Sequence, residues 1–254
     1  NLGAEGIMMM GAFAAFFIDL KFHMPWLGLA AALAVGALLG LLLGLVCITF
    51  KARQGIAGIG LYMLGWGISG TLFRVYVGGP TPVTGIPALR LDLLRSVPWV
   101  GPVLATLSPM DYVAFALIPL SSYLLFRTSW GLKVRAVGTT PRAADTLGID
   151  VSRVRYQCVI LAGAFAGLAG AYLSVCSARM FADNITAGRG FIAVALVYFG
   201  RWSPWGVAGG AVLFSIAAAA QRLIQFYGIK FPYELALIVP YVLVILVLAL
   251  SPNR

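Results

Sequence analysis

Long apolar runs decide what this chain can fold into. The stretch from Trp26 to Phe50 is long enough to cross a hydrocarbon core, for which about 20 helical residues suffice. Comparable runs recur at Ile56 to Phe73, Tyr112 to Phe126, Tyr156 to Val175, Trp205 to Ala220 and Tyr233 to Leu250. Two shorter ones lie at Gly6 to Ile18 and Gly190 to Phe199. Backbone polar groups in lipid must be satisfied within the protein, which leaves helices or closed barrels, and the alternating pattern of barrel strands is absent. The expected fold is therefore all-α. It is a polytopic integral membrane protein with about eight hydrophobic segments, two of them short or broken, in two pseudo-symmetric halves. Only 10% of the residues are charged, against about 25% in a soluble domain, so residues 1–254 read as one transmembrane domain.

The net charge of +10 would suggest nucleic acid in a soluble protein. On a chain this apolar it reads as basic loops kept on the cytoplasmic side, with the lipid bilayer and no nucleic acid as partner. Arg127, Lys133, Arg135, Arg142, Arg153 and Arg155 share one loop, 127–155, which the positive-inside rule places in the cytoplasm. Alternation then puts Lys51, Arg53, Arg201 and Arg254 on the same side. By count the margin is narrow, about ten basic residues inside against about eight outside, and the concentration in one loop decides it. Trp26, Trp130, Trp202 and Trp205 fall at helix ends, as interfacial anchors do. Within the proline-punctuated stretch Arg74 to Pro109, Leu89 to Arg95 reads as a short interfacial helix. Cys47, Cys158 and Cys176 have neither metal-site nor disulfide spacing and read as apolar fillers. Asn1 follows no Met, basic n-region or cleavage-like site, so a preceding helix is expected.

Both short segments open with glycine and a charge: Gly3-Ala4-Glu5-Gly6 in one, Gly188-Arg189-Gly190 in the other. By alternation they run in opposite directions. Short, glycine-interrupted segments in matching places point to a transport site, because a broken helix exposes N–H groups and a positive dipole end to a polar solute or an acidic side chain. Glu5, a carboxylate near membrane depth, is a functional candidate by default; the alternative is that it caps its own helix and bonds a neighbour. A Glu5–Arg189 pair is a sharper version. Tyr62, Trp66 and Ser69, at i, i+4 and i+7, share a helix face that either stacks and hydrogen-bonds a base or sugar, or packs helices with Ser69 as polar glue. The candidate pathway is Asn1, Glu5, Met8, Tyr62, Trp66, Ser69, Arg189 and Phe191.

In the basic loop, Thr139 or Thr140 can cap a short helix with Pro141 at its first position and Gly148 at its end. Such an element cannot cross a membrane and suits docking on a cytoplasmic partner. Three motifs, in order, carry a family resemblance. They are Asn1-Leu2-Gly3-Ala4-Glu5-Gly6-Ile7-Met8; Gly138 with Pro141-Arg142-Ala143-Ala144 and Gly148-Ile149, followed by Ala162 to Gly170; and Gly188 to Ala195 closing with Phe199-Gly200-Arg201-Trp202. The chain resembles the permease family of ABC importers for simple sugars and nucleosides, a group that includes branched-chain amino acid permeases; its opening looks more like the nucleoside branch. The resemblance implies a bacterial inner-membrane permease for a small polar solute, a nucleoside or simple sugar. It also implies a second permease subunit, ATP-binding cassette subunits that carry ATP and Mg, and an extracytoplasmic solute-binding protein. Pro141, Arg142, Ala143, Ala144, Asp145 and Gly148 would then couple ATP hydrolysis to gating. Independently, Gly163, Gly167 and Gly170 offer small-residue helix contacts.

Other classes fare worse. Gly67-Ile68-Ser69-Gly70 matches the Gly-x-Ser-Gly of rhomboid-type proteases, but a histidine base on a later helix is needed and the sole histidine, His23, lies upstream. No phosphate-binding Gly-x-x-x-x-Gly-Lys-Ser/Thr loop occurs, so the chain is expected to hold no nucleotide cofactor and to be no enzyme itself. A branched-chain amino acid permease is the near alternative. An ion-coupled carrier is the further one, with Glu5 as its only intramembrane acid.

Overall fold

The computed structural model describes residues 1–89 and 106–226, and among these the ordered elements are helices. They are α1 (Ala4–Phe22), α2 (Pro25–Gly44), α3 (Gln54–Tyr76), α4 (Pro109–Arg127), α5 (Ser129–Thr139), α6 (Pro141–Thr146), α7 (Val151–Ala171), α8 (Arg189–Phe199) and α9 (Pro204–Phe226). Helices α2 and α7 run on into π-helical turns, Leu45–Thr49 and Tyr172–Ser177. Four spans are long and apolar enough to cross a membrane: Pro25–Thr49, Gln54–Tyr76, Pro109–Arg127 and Val151–Ser177. The expected interfacial helix past Leu89 and the last apolar segment, Tyr233 to Leu250, lie outside the described residues.

The chain divides into two compact units. The first comprises Asn1–Leu117 and Leu124–Phe191; the second comprises Ile118–Tyr123 and the chain from Ile192. At the centre of the first is α1, packed by α2, α3 and α7. Small residues allow this. Gly28, Ala32, Gly36, Gly40 and Gly44 form a buried stripe at every fourth position of α2, and Gly163 and Gly167 of α7 meet it. A Cβ on Gly167 would strike the Ala32 carbonyl, so the two backbones lie in direct contact, as small-residue packing in membranes requires. Ser174 adds a polar tie, its hydroxyl donating to the Ala12 carbonyl at 2.8 Å.

The first apolar segment stays short of a span, since α1 is not among the four, but the helix that carries it is longer than the apolar run. Helix α1 has 19 residues and continues past Ile18, because Asp19 does not meet lipid: it is fully buried and accepts the Gly85 N–H at 2.8 Å. The helix ends where His23 turns left-handed, its N–H bonding the Asp19 carbonyl. The 127–155 loop is also more ordered than expected. Thr128 caps α5 by accepting the Gly131 N–H at 3.1 Å, Asp150 caps α7 through the Arg153 N–H at 2.9 Å, and Val137, Ala144 and Val154 close a small core between α5, α6 and α7. Its basic, amphipathic composition hid α5.

In the second unit α8 turns into α9 through Arg201 and Trp202, both left-handed. The helices pack glycine on glycine, Gly200 against Gly206.

Candidate functional site

Glu5 stands in the first turn of α1 and is 1% exposed. Among the described residues no cation pairs with it. Its carboxylate accepts three donors from the start of α8 and the turn before it: the Thr186 hydroxyl and the Gly188 N–H (2.8 Å) on Oε1, and the Gly190 N–H on Oε2. Unsatisfied N–H groups and a positive dipole end attract anions to a helix N-terminus. Here the anion is the protein's own. Gly190 has to be glycine, since a Cβ would lie 2.6 Å from the Glu5 Cα.

The packing of α3 gives the depth of this cradle. Gly65, the middle residue of that spanning helix, sits directly on the Gly6 backbone. Glu5 is therefore near mid-membrane, where an acid is costly unless paired or hydrogen-bonded.

Beside the cradle lies an aromatic edge. The Tyr62 and Trp66 rings stack, 6.4 Å apart and 4° from parallel, and Phe191 meets Tyr62 edge-on at 5.3 Å. Trp66 is 50% exposed and Phe191 38%. Because Phe191 follows Gly190, the Glu5 cradle also sets the position of this ring.

Residues 1–248 match the sequence profile of the branched-chain amino acid transport system / permease component family. The chain belongs to this permease family. Among its relatives, a guanosine ABC transporter permease of Bacillus subtilis is 35% identical over 262 residues, covering 98% of this chain and 82% of that protein. A nucleoside ABC transporter permease of Lactococcus lactis is 32% identical, with the same two coverages. A Haloferax volcanii protein named for glucose ABC transport is 36% identical over 225 residues, 87% of this chain and 68% of its own length. No solved structure matches. The permease is thus a transport component and a multi-pass membrane protein.

The other expected pathway residues of the permease are placed differently. Glu5 does not pair with the Arg189 side chain, which is exposed and donates to the Ile185 carbonyl at 3.0 Å; backbone N–H groups outcompete it because they sit at the helix start itself. Ser69 is fully buried and donates to the Trp66 carbonyl at 3.2 Å, so it does not share the open face of Trp66. The same bond occupies the serine of the protease-like motif, and His23 instead approaches Thr84 at 3.3 Å. Met8 is buried, its carbonyl against Gly170 of α7, and Asn1 accepts the Gly3 N–H at 3.0 Å.

In the 127–155 segment, Pro141 starts α6 and Gly148, with φ of 80°, follows it. Arg142, Ala143 and Asp145 are exposed, while Ala144 turns into the small core at 2% exposure. Two residues escaped the sequence reading. Thr186 completes the cradle and carries no local signal. Leu147, 81% exposed, was marked only by being a leucine directly after a polar helix.

Proposed function

We propose that this permease is the membrane-spanning subunit of an ABC importer for nucleosides, seated in a bacterial plasma membrane, with ATP and Mg held by a partner ATPase. The observation that carries the substrate class is the aromatic edge of Tyr62, Trp66 and Phe191 beside a mid-membrane carboxylate cradle. A half-exposed indole offers a nucleobase a stacking face. The nearly full-length similarity to nucleoside permeases supports the same reading.

The chain works as one of two permease subunits and receives solute from an extracytoplasmic binding protein. The 127–155 segment couples it to the ATPase. Its α5–α6–α7 core makes α6 a rigid knob rather than a flexible loop, so a push on Arg142, Ala143, Asp145 or Leu147 reaches α7 through Ala144 and Val154. That route leads along α7 to the helices packed around α1.

The test is uptake of labelled nucleosides, pentoses and branched-chain amino acids by the reconstituted assembly. Guanosine or another nucleoside should be taken up. Uptake of branched-chain amino acids with none of nucleosides would overturn the assignment.

A further inference from the structure

Residues 178–188, between the π-turn of α7 and the start of α8, contain no helix, yet from Phe181 onward they pack along α1 and the spanning helix α3. At one end the Val83 N–H bonds the Arg179 carbonyl at 2.9 Å, and Gly85 next to it is held by Asp19. In the middle Phe181 is fully buried against Phe13, Phe16 and Phe73. At the other end Thr186, Gly188 and Gly190 close on Glu5. Glu5 and Asp19 are about 21 Å apart along α1 at 1.5 Å per residue, so this stretch runs back along most of that helix.

Such backbone is tolerated inside a membrane only where protein buries it or where it lines water. One side of the stretch is buried, through Phe181 and Thr186. The other side exposes Ala182, Asp183 and Asn184, and a charged face of this kind is not compatible with hydrocarbon. Across from it stands a stripe of α3 at every fourth residue: Tyr62, Trp66, Gly70 and Arg74. The two meet at Gly70. A Cβ there would lie 3.3 Å from Asp183 Oδ1 and 3.4 Å from Arg74 Nη2. Gly70 is buried: without a side chain there, one carboxylate and one guanidinium close over the glycine from either side, the Arg74 Nε donating to the Gly70 carbonyl at 3.1 Å.

We propose that the exposed face of residues 182–184 and the Tyr62–Trp66–Gly70–Arg74 stripe form the outer half of the solute path, with Asp183 and Arg74 as a station for the ribose hydroxyls. A hydroxyl both donates and accepts, so a vicinal diol satisfies the carboxylate and the guanidinium together while the solute stays neutral. The base then reaches Trp66 one helical turn deeper. The proposal rests on the nucleoside reading for its substrate, and on the packing alone for the path.

The experiment uses the complete transporter in proteoliposomes, with Cys47, Cys158 and Cys176 replaced by alanine and ATP-driven uptake of tritiated guanosine established first. Ala182→Cys is then treated with a membrane-impermeant methanethiosulfonate on the side opposite the 127–155 segment, with Leu38→Cys on exposed α2 as the control. Labelling of Ala182→Cys should abolish uptake, guanosine should slow the labelling, and Leu38→Cys should stay unlabelled. An unlabelled Ala182→Cys, or labelling that leaves uptake intact, overturns the path. If the transporter carries ribose and not guanosine, the nucleoside reading fails while the same labelling, read with ribose, still decides the path.

Discussion

Replacing Glu5 with glutamine tests the cradle at its most exacting point. The variant keeps side-chain length and exchanges one acceptor oxygen for an NH2 donor. If the remaining oxygen takes the place of Oε1, Thr186 and Gly188 keep their acceptor and the buried Gly190 N–H faces a donor. If it takes the place of Oε2, Gly190 is satisfied, the Thr186 hydroxyl can rotate to accept, and only the Gly188 N–H is stranded. Gly188 is half-buried and Gly190 buried, so the second orientation wins. A stranded backbone donor costs about 1–3 kcal/mol, and the half-buried one falls at the lower end, about 1–2 kcal/mol. That difference corresponds to roughly 5- to 30-fold in local opening of the α8 start. Hydrogen–deuterium exchange of the peptide covering Thr186 to Phe191, in nanodiscs, reads it directly. Exchange should speed by that factor, with α2 and α7 peptides unchanged. Unaltered exchange at Gly188 and Gly190 would refute the claim that Glu5 holds the start of α8.

Four further outcomes follow from the same geometry. Leu147→Ala should weaken binding of the ATPase subunit by roughly 30-fold, since burying a leucine is worth about 2 kcal/mol, and a titration of the two purified components checks it. Gly167→Val should destabilise the permease by about 1–3 kcal/mol through overpacking against Ala32 and Gly36; an unchanged thermal melt in detergent would contradict the close α2–α7 packing. Trp66→Ala should raise the KM for guanosine, stacking on an aromatic being worth about 1–3 kcal/mol, with less effect on ribose. Asp183→Ala should narrow the difference in uptake between guanosine and 2′,3′-dideoxyguanosine, and a preserved difference would return Asp183 to a bystander.

The spanning helices α2, α3, α4 and α7 were legible because length and uninterrupted apolarity are local properties. So was the α6 knob, which Pro141 and Gly148 bracket in the sequence. Helix α1 was underestimated because the partner that keeps Asp19 out of lipid, the Gly85 N–H, lies far along the chain. Glu5 was found as the acid to watch, and the N–H groups of a broken helix were named as able to hold an acidic side chain, but the choice between them and the Arg189 charge was not legible, because backbone N–H groups are common to every sequence. Ser69 shows the limit of face counting. A spacing of seven from Tyr62 and three from Trp66 put it on their face, but its hydroxyl folds back onto the helix, and the stripe that meets residues 182–184 runs instead through Gly70 and Arg74.

The most direct test of the account is whether transport needs a separate ATP-hydrolysing subunit. Guanosine uptake should be measured in vesicles holding this chain alone, under a proton or sodium gradient, and in vesicles holding the full assembly with ATP. Uptake should appear only in the second case and should stop when the ATPase cannot hydrolyse ATP. Gradient-driven accumulation by the chain alone would show an ion-coupled carrier and contradict the account.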